Sequence, residues 1–250
     1  MRMLEPLRHD ARAPLARRHP LAKLAAGAIL MLVVFLTVDP VTPAVVLAAL
    51  LAAVPASGLA FGPLARRAAP LALAAAGVGL FNGLVSGDLA AGAAVALRVV
   101  AVALSGILAV ATIDPTDLAD ALIEHLRVSP RFAVGALAAF RLAPLFAREW
   151  ERIALARRAR GIEADRSFAG RLVTFPERTH ALLVGAIRRA TDLALAMDAR
   201  GFGARGCRTV SRPRPLRSAD LGLALLAAGV GIAATAASLA AGTWRPLFSG

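Results

Sequence analysis

The sequence predicts an all-α membrane protein. It has about five transmembrane helices, with an arginine-rich cytoplasmic region of three helices inserted between the fourth and fifth spans. Three observations carry this expectation. First, 58% of the 250 residues are hydrophobic and 18% are charged, with a mean hydropathy of +0.67; a soluble domain has about a quarter charged and under half apolar residues. Second, the apolar residues gather into stretches close to the ~20 residues that cross a bilayer core. Third, the basic residues fall on one side of those stretches.

The stretches are roughly Leu21–Val38, Ala44–Phe61, Ala68–Val85, Leu89–Ile113 and Leu221–Thr243. The first lies too far from the N-terminus to read as a signal peptide and is taken as a span. Residues 1–23 carry five arginines and Lys23, the sole lysine, against Glu5 and Asp10. Arg66 and Arg67 stand between the second and third spans, and 19 arginines lie between Asp114 and Asp220. The other side has Asp39, Asp88 and Arg245. Basic residues in short loops stay cytoplasmic, so the N-terminus is expected inside the cell membrane and the C-terminus outside. Five spans require the same parity. The expected divisions are 1–113 (N-terminal tail and four spans), 114–218 (cytoplasmic helices) and 219–250 (fifth span and tail).

The cytoplasmic region opens with Asp114-Pro115-Thr116-Asp117. Asp114 can cap a helix, Pro115 suits its first position, and Asp117 favours the positive end of the dipole. Leu118, Leu122 and Leu126 then share one face up to Arg127. A second helix is expected from about Arg131 to Arg160, with Leu142, Phe146, Trp150 and Ile153 in a stripe and Arg141, Arg148 and Arg152 on another face. Its half Phe132–Ala147 is apolar enough to be mistaken for a span. Arg131 and Arg141 make lipid exposure costly, which sets it at or under the membrane. A third helix is expected from near Pro176 to Arg200, with Leu183, Ile187, Ala190, Ala194 and Met197 along one stripe.

The second and third helices end alike. Leu155-Ala156-Arg157-Arg158-Ala159-Arg160-Gly161 and Leu195-Ala196-Met197-Asp198-Ala199-Arg200-Gly201 share L-A-x-x-A-R-G, forty residues apart. Each glycine suits a left-handed C-terminal stop, with Ile162 or Phe202 supplying the apolar contact that often follows. Each arginine then projects from the last turn, where the dipole favours a cation.

On these residues the chain resembles the transmembrane T component of energy-coupling factor (ECF) transporters. The paired Ala159-Arg160-Gly161 and Ala199-Arg200-Gly201 carry the resemblance. Arg18-His19-Pro20-Leu21-Ala22-Lys23-Leu24, Asp114-Pro115-Thr116-Asp117-Leu118 and the run Glu151-Arg152-Ile153 to Gly161 support it, over nearly the whole chain. It implies a non-catalytic coupling subunit whose Arg160 and Arg200 dock into two ATP-binding cassette ATPase subunits, with the neighbouring alanines and glycines shaping the helix ends. It also implies a membrane-embedded substrate-capture subunit as partner. The cargo implied is a vitamin or its precursor rather than cobalt or nickel ion. The modest spans, the second containing Pro55, depart from the family pattern.

No cofactor or metal site is expected. The single Cys207 and the four scattered histidines provide no ligand cluster. Gly201-Phe202-Gly203-Ala204-Arg205-Gly206 fits G-x-G-x-x-G by letter, but no strand precedes it. No G-x-x-x-x-G-K-[ST] exists, so ATP hydrolysis is expected only in partner subunits. The spans contain no Asp or Glu, which argues against a lipid-modifying enzyme. A conventional ABC permease would use one coupling helix, whereas two equivalent ends occur. Arg205, Arg208, Arg212, Arg214 and Arg217 have no interleaved aromatics. They read as an anchor on anionic lipid, with no nucleic-acid partner. Within the spans, Gly79, Gly83 and Gly87 suit close helix packing, first within the chain and second against a partner. Arg98 is either a functional intramembrane charge or a snorkelling side chain able to bond to Asn82.

Overall fold

The computed structural model describes residues 13–161, 168–202 and 215–244. Among them are eight α-helices and no strand: α1 (Pro20–Leu36), α2 (Val41–Ser57), α3 (Phe61–Ser86), α4 (Leu89–Ala111), α5 (Pro115–Leu126), α6 (Pro130–Ala159), α7 (Phe168–Ala199) and α8 (Ser218–Ala240). The chain is an all-α membrane protein. Ala68–Ser86, α4, α6 and α8 are long and apolar enough to cross a membrane. The helices α1 and α2 have 17 residues each, about 25 Å at ~1.5 Å per residue, the short end of what spans a ~30 Å core. The sequence sets α6 at or under the membrane; by length and composition α6 also qualifies as a span.

Two compact units form, Met1–Arg127 with Arg214–Gly250, and Val128–Pro213. In the first, α4 packs against α1, α2 and α3, and α8 packs against α1 and α2. The core repeats at helical spacing: Ala26, Leu30 and Val34 from α1, Val46, Leu50 and Val54 from α2, Ala101, Leu104 and Leu108 from α4, and Ala227 and Ala234 from α8. Facing outward are large apolar groups, with Leu73 77% and Val85 72% exposed, the inverse of a soluble surface and the surface lipid requires. Between helices, lipid offers no hydrophobic drive, so close approach through small residues matters. A Cβ at Gly27 would lie 2.7 Å from the Ala109 Cβ, and one at Gly79 would lie 2.6 Å from the Gly92 carbonyl oxygen.

Several element limits differ from expectation for local reasons. Gly58, at φ 70°, stops α2 at Ser57, short of the expected Phe61. The next helix starts at Phe61 and carries Pro70 within it. Likewise α7 begins at Phe168 and holds Pro176 internally. The turn before that proline is held by the Thr174 hydroxyl, which donates to the Gly170 carbonyl at 3.0 Å, and by Phe175 against Trp150, ring centroids 5.5 Å apart. Tertiary packing there overrides the helix-start signal of proline.

In the second unit, α6 and α7 run antiparallel. Arg157 pairs with Glu177, and Arg189 Nη2 donates to Glu149 Oε2 at 2.9 Å. Away from these contacts the helices border an open apolar cavity of about 770 Å³, lined among others by Leu142 and Phe146 from α6 and by Ile187, Ala190, Ala194 and Met197 from α7.

Candidate docking site at two helix ends

Both helix ends of the repeated segment share a left-handed glycine whose amide bonds to the carbonyl three residues back. In α7, Arg200 is the last residue before a left-handed Gly201 at φ 74°. The Gly201 amide donates to the Asp198 carbonyl at 2.9 Å, and the Phe202 amide reaches back to the Met197 carbonyl at 3.0 Å. These two bonds satisfy carbonyls that a helix end leaves open. In α6, Gly161 adopts φ 67° and its amide donates to the Arg158 carbonyl at 2.9 Å. The expected apolar follower Ile162 lies outside the described residues, whereas Phe202 lines the α6–α7 cavity. A glycine is needed at each end because of the sign of φ, since a Cβ at Gly161 would meet nothing within 4 Å.

Ala159, Arg160, Ala199 and Arg200 are all exposed. Each guanidinium leaves its helix at the negative end of the dipole, as a rigid fork suited to carboxylates and backbone carbonyls. The antiparallel pairing sets the two apart. The end of α6 lies beside Glu177, and from there α7 runs for roughly 35 Å, at about 1.5 Å per residue, to Arg200. Arg160 and Arg200 therefore stand at opposite ends of one hairpin. The structure does not bring them together; they mark two separate helix ends.

The remaining candidates lie in the first unit. Gly79 and Gly83 face α4, where a Cβ on Gly92 would fall 2.8 Å from the Gly83 Cα. Gly87 does not pack against a helix; it is the left-handed C-cap of α3 at φ 71°. Gly92, absent from the sequence candidates, is the α4 half of this contact. A signal existed in the small-residue run Ala90-Ala91-Gly92, one turn into the helix. Arg98 bonds to the Phe35 carbonyl and lies 5.7 Å from the Phe35 ring centroid, rather than bonding to Asn82. Its partner is thus a neighbouring helix end, out of reach of periodicity arguments. Gly203–Gly206, Cys207 and Arg205–Arg214 lie outside the described residues. Among the described residues no cluster of histidine, cysteine and acidic side chains could hold a metal ion.

Residues 11–209 match the protein family CbiQ, cobalt transport protein. The energy-coupling factor transporter transmembrane protein EcfT of Exiguobacterium sibiricum is 31% identical to this chain over 125 residues, 48% of each protein. The match thus spans about half the length of that curated relative.

Proposed function

The chain belongs to the CbiQ cobalt transport protein family, and from that membership we propose that it is the non-catalytic transmembrane coupling subunit of an ECF-type uptake transporter. The observation that carries this reading is the pair of exposed Arg-Gly helix ends, Arg160-Gly161 and Arg200-Gly201, each stopped by a left-handed glycine, at opposite ends of the α6–α7 hairpin. Two equal anchors roughly 35 Å apart suit two copies of one kind of partner, and two ATP-binding cassette subunits supply that. Each arginine enters a groove on one ATPase, and closure of the ATPase pair moves the hairpin as a body. Residues 114–218 form the coupling region in this scheme. The partner that carries the substrate is a membrane-embedded capture subunit for a vitamin, a vitamin precursor or a transition-metal ion. The protein resides in the cell membrane with its N-terminus in the cytoplasm.

The test is assembly. Arg160→Glu or Arg200→Glu should weaken co-purification of the ATPase subunits, and the double variant should abolish it while the chain still inserts. Breaking one side of a buried charged contact costs roughly 2–5 kcal/mol, about thirtyfold or more at ~1.4 kcal/mol per tenfold. Reversing the charge at a helix C-terminus adds about 0.3–1 kcal/mol. Arg152→Glu is the control, an exposed arginine on α6. Normal ATPase capture by the double variant, or equal loss in Arg152→Glu, would overturn the docking role. The polypeptide alone is expected to hydrolyse no ATP, because it has no phosphate-cradling loop with its lysine; turnover by the pure chain would sink the non-catalytic assignment.

A further inference from the structure

We propose that His19 fastens both connections to the α6–α7 hairpin onto the transmembrane unit, making His19, His125 and Asp220 positioning residues for coupling. The coupling rests on the function proposed above, whereas the fastening rests on contacts inside the first unit. The chain leaves that unit after Arg127, directly past α5, and returns at Arg214, shortly before α8. His19 touches both places. Its ring meets the His125 ring edge-on, centroids 4.9 Å apart at 71°, and His125 is in the last turn of α5. Its backbone N–H donates to Asp220 Oδ1 at 2.9 Å. The other carboxylate oxygen of Asp220 accepts the Arg217 N–H at 3.0 Å, closing the first turn of α8. His19 also caps α1, its Nδ1 accepting the Leu21 N–H at 3.3 Å. Three helix termini therefore meet on one residue.

One turn further on, Lys23 extends the same knot to α4. The residue is 5% exposed, and Nζ donates to the Ala16 carbonyl at 3.0 Å and the Thr112 carbonyl at 2.7 Å. Thr112 is the C-cap of α4 and stands two residues before Asp114, the N-cap of α5. An ammonium at the end of α4 suits the helix dipole. Burial of His19, Lys23 and Asp220 is costly for charged and polar groups, which makes a purely space-filling role a poor explanation. The exit itself is fixed: Arg127 is a non-glycine residue held at φ 52°, a conformation an arginine rarely adopts. Because the end of α5 and the start of α8 are tied to one residue, a displacement arriving at either is passed to α1, α4 and α8 together.

Hydrogen exchange of the full chain in lipid nanodiscs tests the fastening. His125→Ala removes the ring contact at a half-buried position. His19→Asn keeps a good N-cap and removes the same contact from the other side, and Asp220→Asn weakens the α8 tie. Exchange should rise roughly two- to tenfold in 122–127 for the histidine variants, the range such an aromatic pair carries, and in 217–222 for Asp220→Asn, with α3 unchanged. Complexes with co-expressed ATPase subunits test the positioning. The variants should still capture the ATPases, yet vanadate-trapped ATP should no longer alter exchange in α1 and α8 as it does in wild type. Unchanged exchange at 122–127 in His125→Ala and His19→Asn would overturn the fastening. A wild-type nucleotide response in the variants, or none in an assembled wild-type complex, would overturn the positioning role. Failure of the wild-type chain to capture ATPases would instead refute the proposed function, with the first measurement still deciding the knot.

Discussion

Asp39 shows how much one side chain settles at a helix junction. It stands between α1 and α2, 2% exposed, and its Oδ2 accepts the Thr42 N–H at 2.7 Å. It thus does for α2 what Asp114 does for α5, because Pro40 offers no capping side chain. Burial works against its ionisation, but the Thr42 amide and the nearby Ser238 and Thr42 hydroxyls outweigh it, leaving the carboxyl below its ordinary value of 3.8. A group with a lowered folded pKa stabilises the fold above its unfolded pKa, and that contribution is lost as pH falls through the folded value. Asn still caps a helix, so what Asp39→Asn removes is the charge on the acceptor, and it should destabilise the detergent-solubilised chain near pH 7 by about 1 kcal/mol, the difference between a charged and a neutral hydrogen-bond acceptor. The gap from wild type should close below about pH 4. Thermal unfolding across pH checks this, and a gap that stays constant to pH 3 would remove the ionised carboxylate from the account.

At the scale of elements, the α3–α4 hairpin makes the sharpest demand. A Cβ on Gly92 would lie 2.8 Å from both the Cα and the amide nitrogen of Gly83, and backbone cannot swing aside as a flexible side chain can. Gly92→Ala should therefore push the helices apart and cost about 1–3 kcal/mol as overpacking, read as a lower thermal midpoint. Gly77→Ala is its control, because a Cβ there meets nothing within 4 Å. An unchanged midpoint in Gly92→Ala would refute the close approach. What was legible in the sequence follows from the same contrast between near and far. Helix starts at Asp114-Pro115 and stops at Gly161 and Gly201 are local chemistry, and they appear where the residues call for them. Gly79 and Gly83 showed a close-packing face, but its partner Gly92 belongs to another helix. The start of α7 eluded a local rule, since Pro176 resembles a first-turn proline until Phe175 is seen against Trp150. Nor can periodicity reveal that His19 meets Asp220, 201 residues away.

For the whole molecule, those long-range contacts fix which helix ends lie together. Lys23 on Thr112 and His19 on Asp220 bring the start of α1, the end of α4 and the start of α8 to one end of the transmembrane unit. Asp39 beside Ser238 brings the α1–α2 link and the last turn of α8 to the other. The first end is where basic residues concentrate, from Arg17 and Arg18 to Arg127 and Arg217, while the second has Asp39 and Asp88. Packing and charge bias are independent, and they sort the same segments. Because basic flanks stay in the cytoplasm, Arg160 and Arg200 should both lie inside, where ATPases can reach them. In a Cys207→Ser background, a cysteine at Asp88 should react with a membrane-impermeant maleimide added to intact cells. One at Thr191 on α7 should react only after the membrane is opened. Asp88 caps α4, so its loss costs about 1 kcal/mol, too little to invert a topology set by more than twenty basic residues. Labelling of Thr191→Cys from outside would reverse the orientation, and with it place both arginine anchors beyond any nucleotide-driven partner.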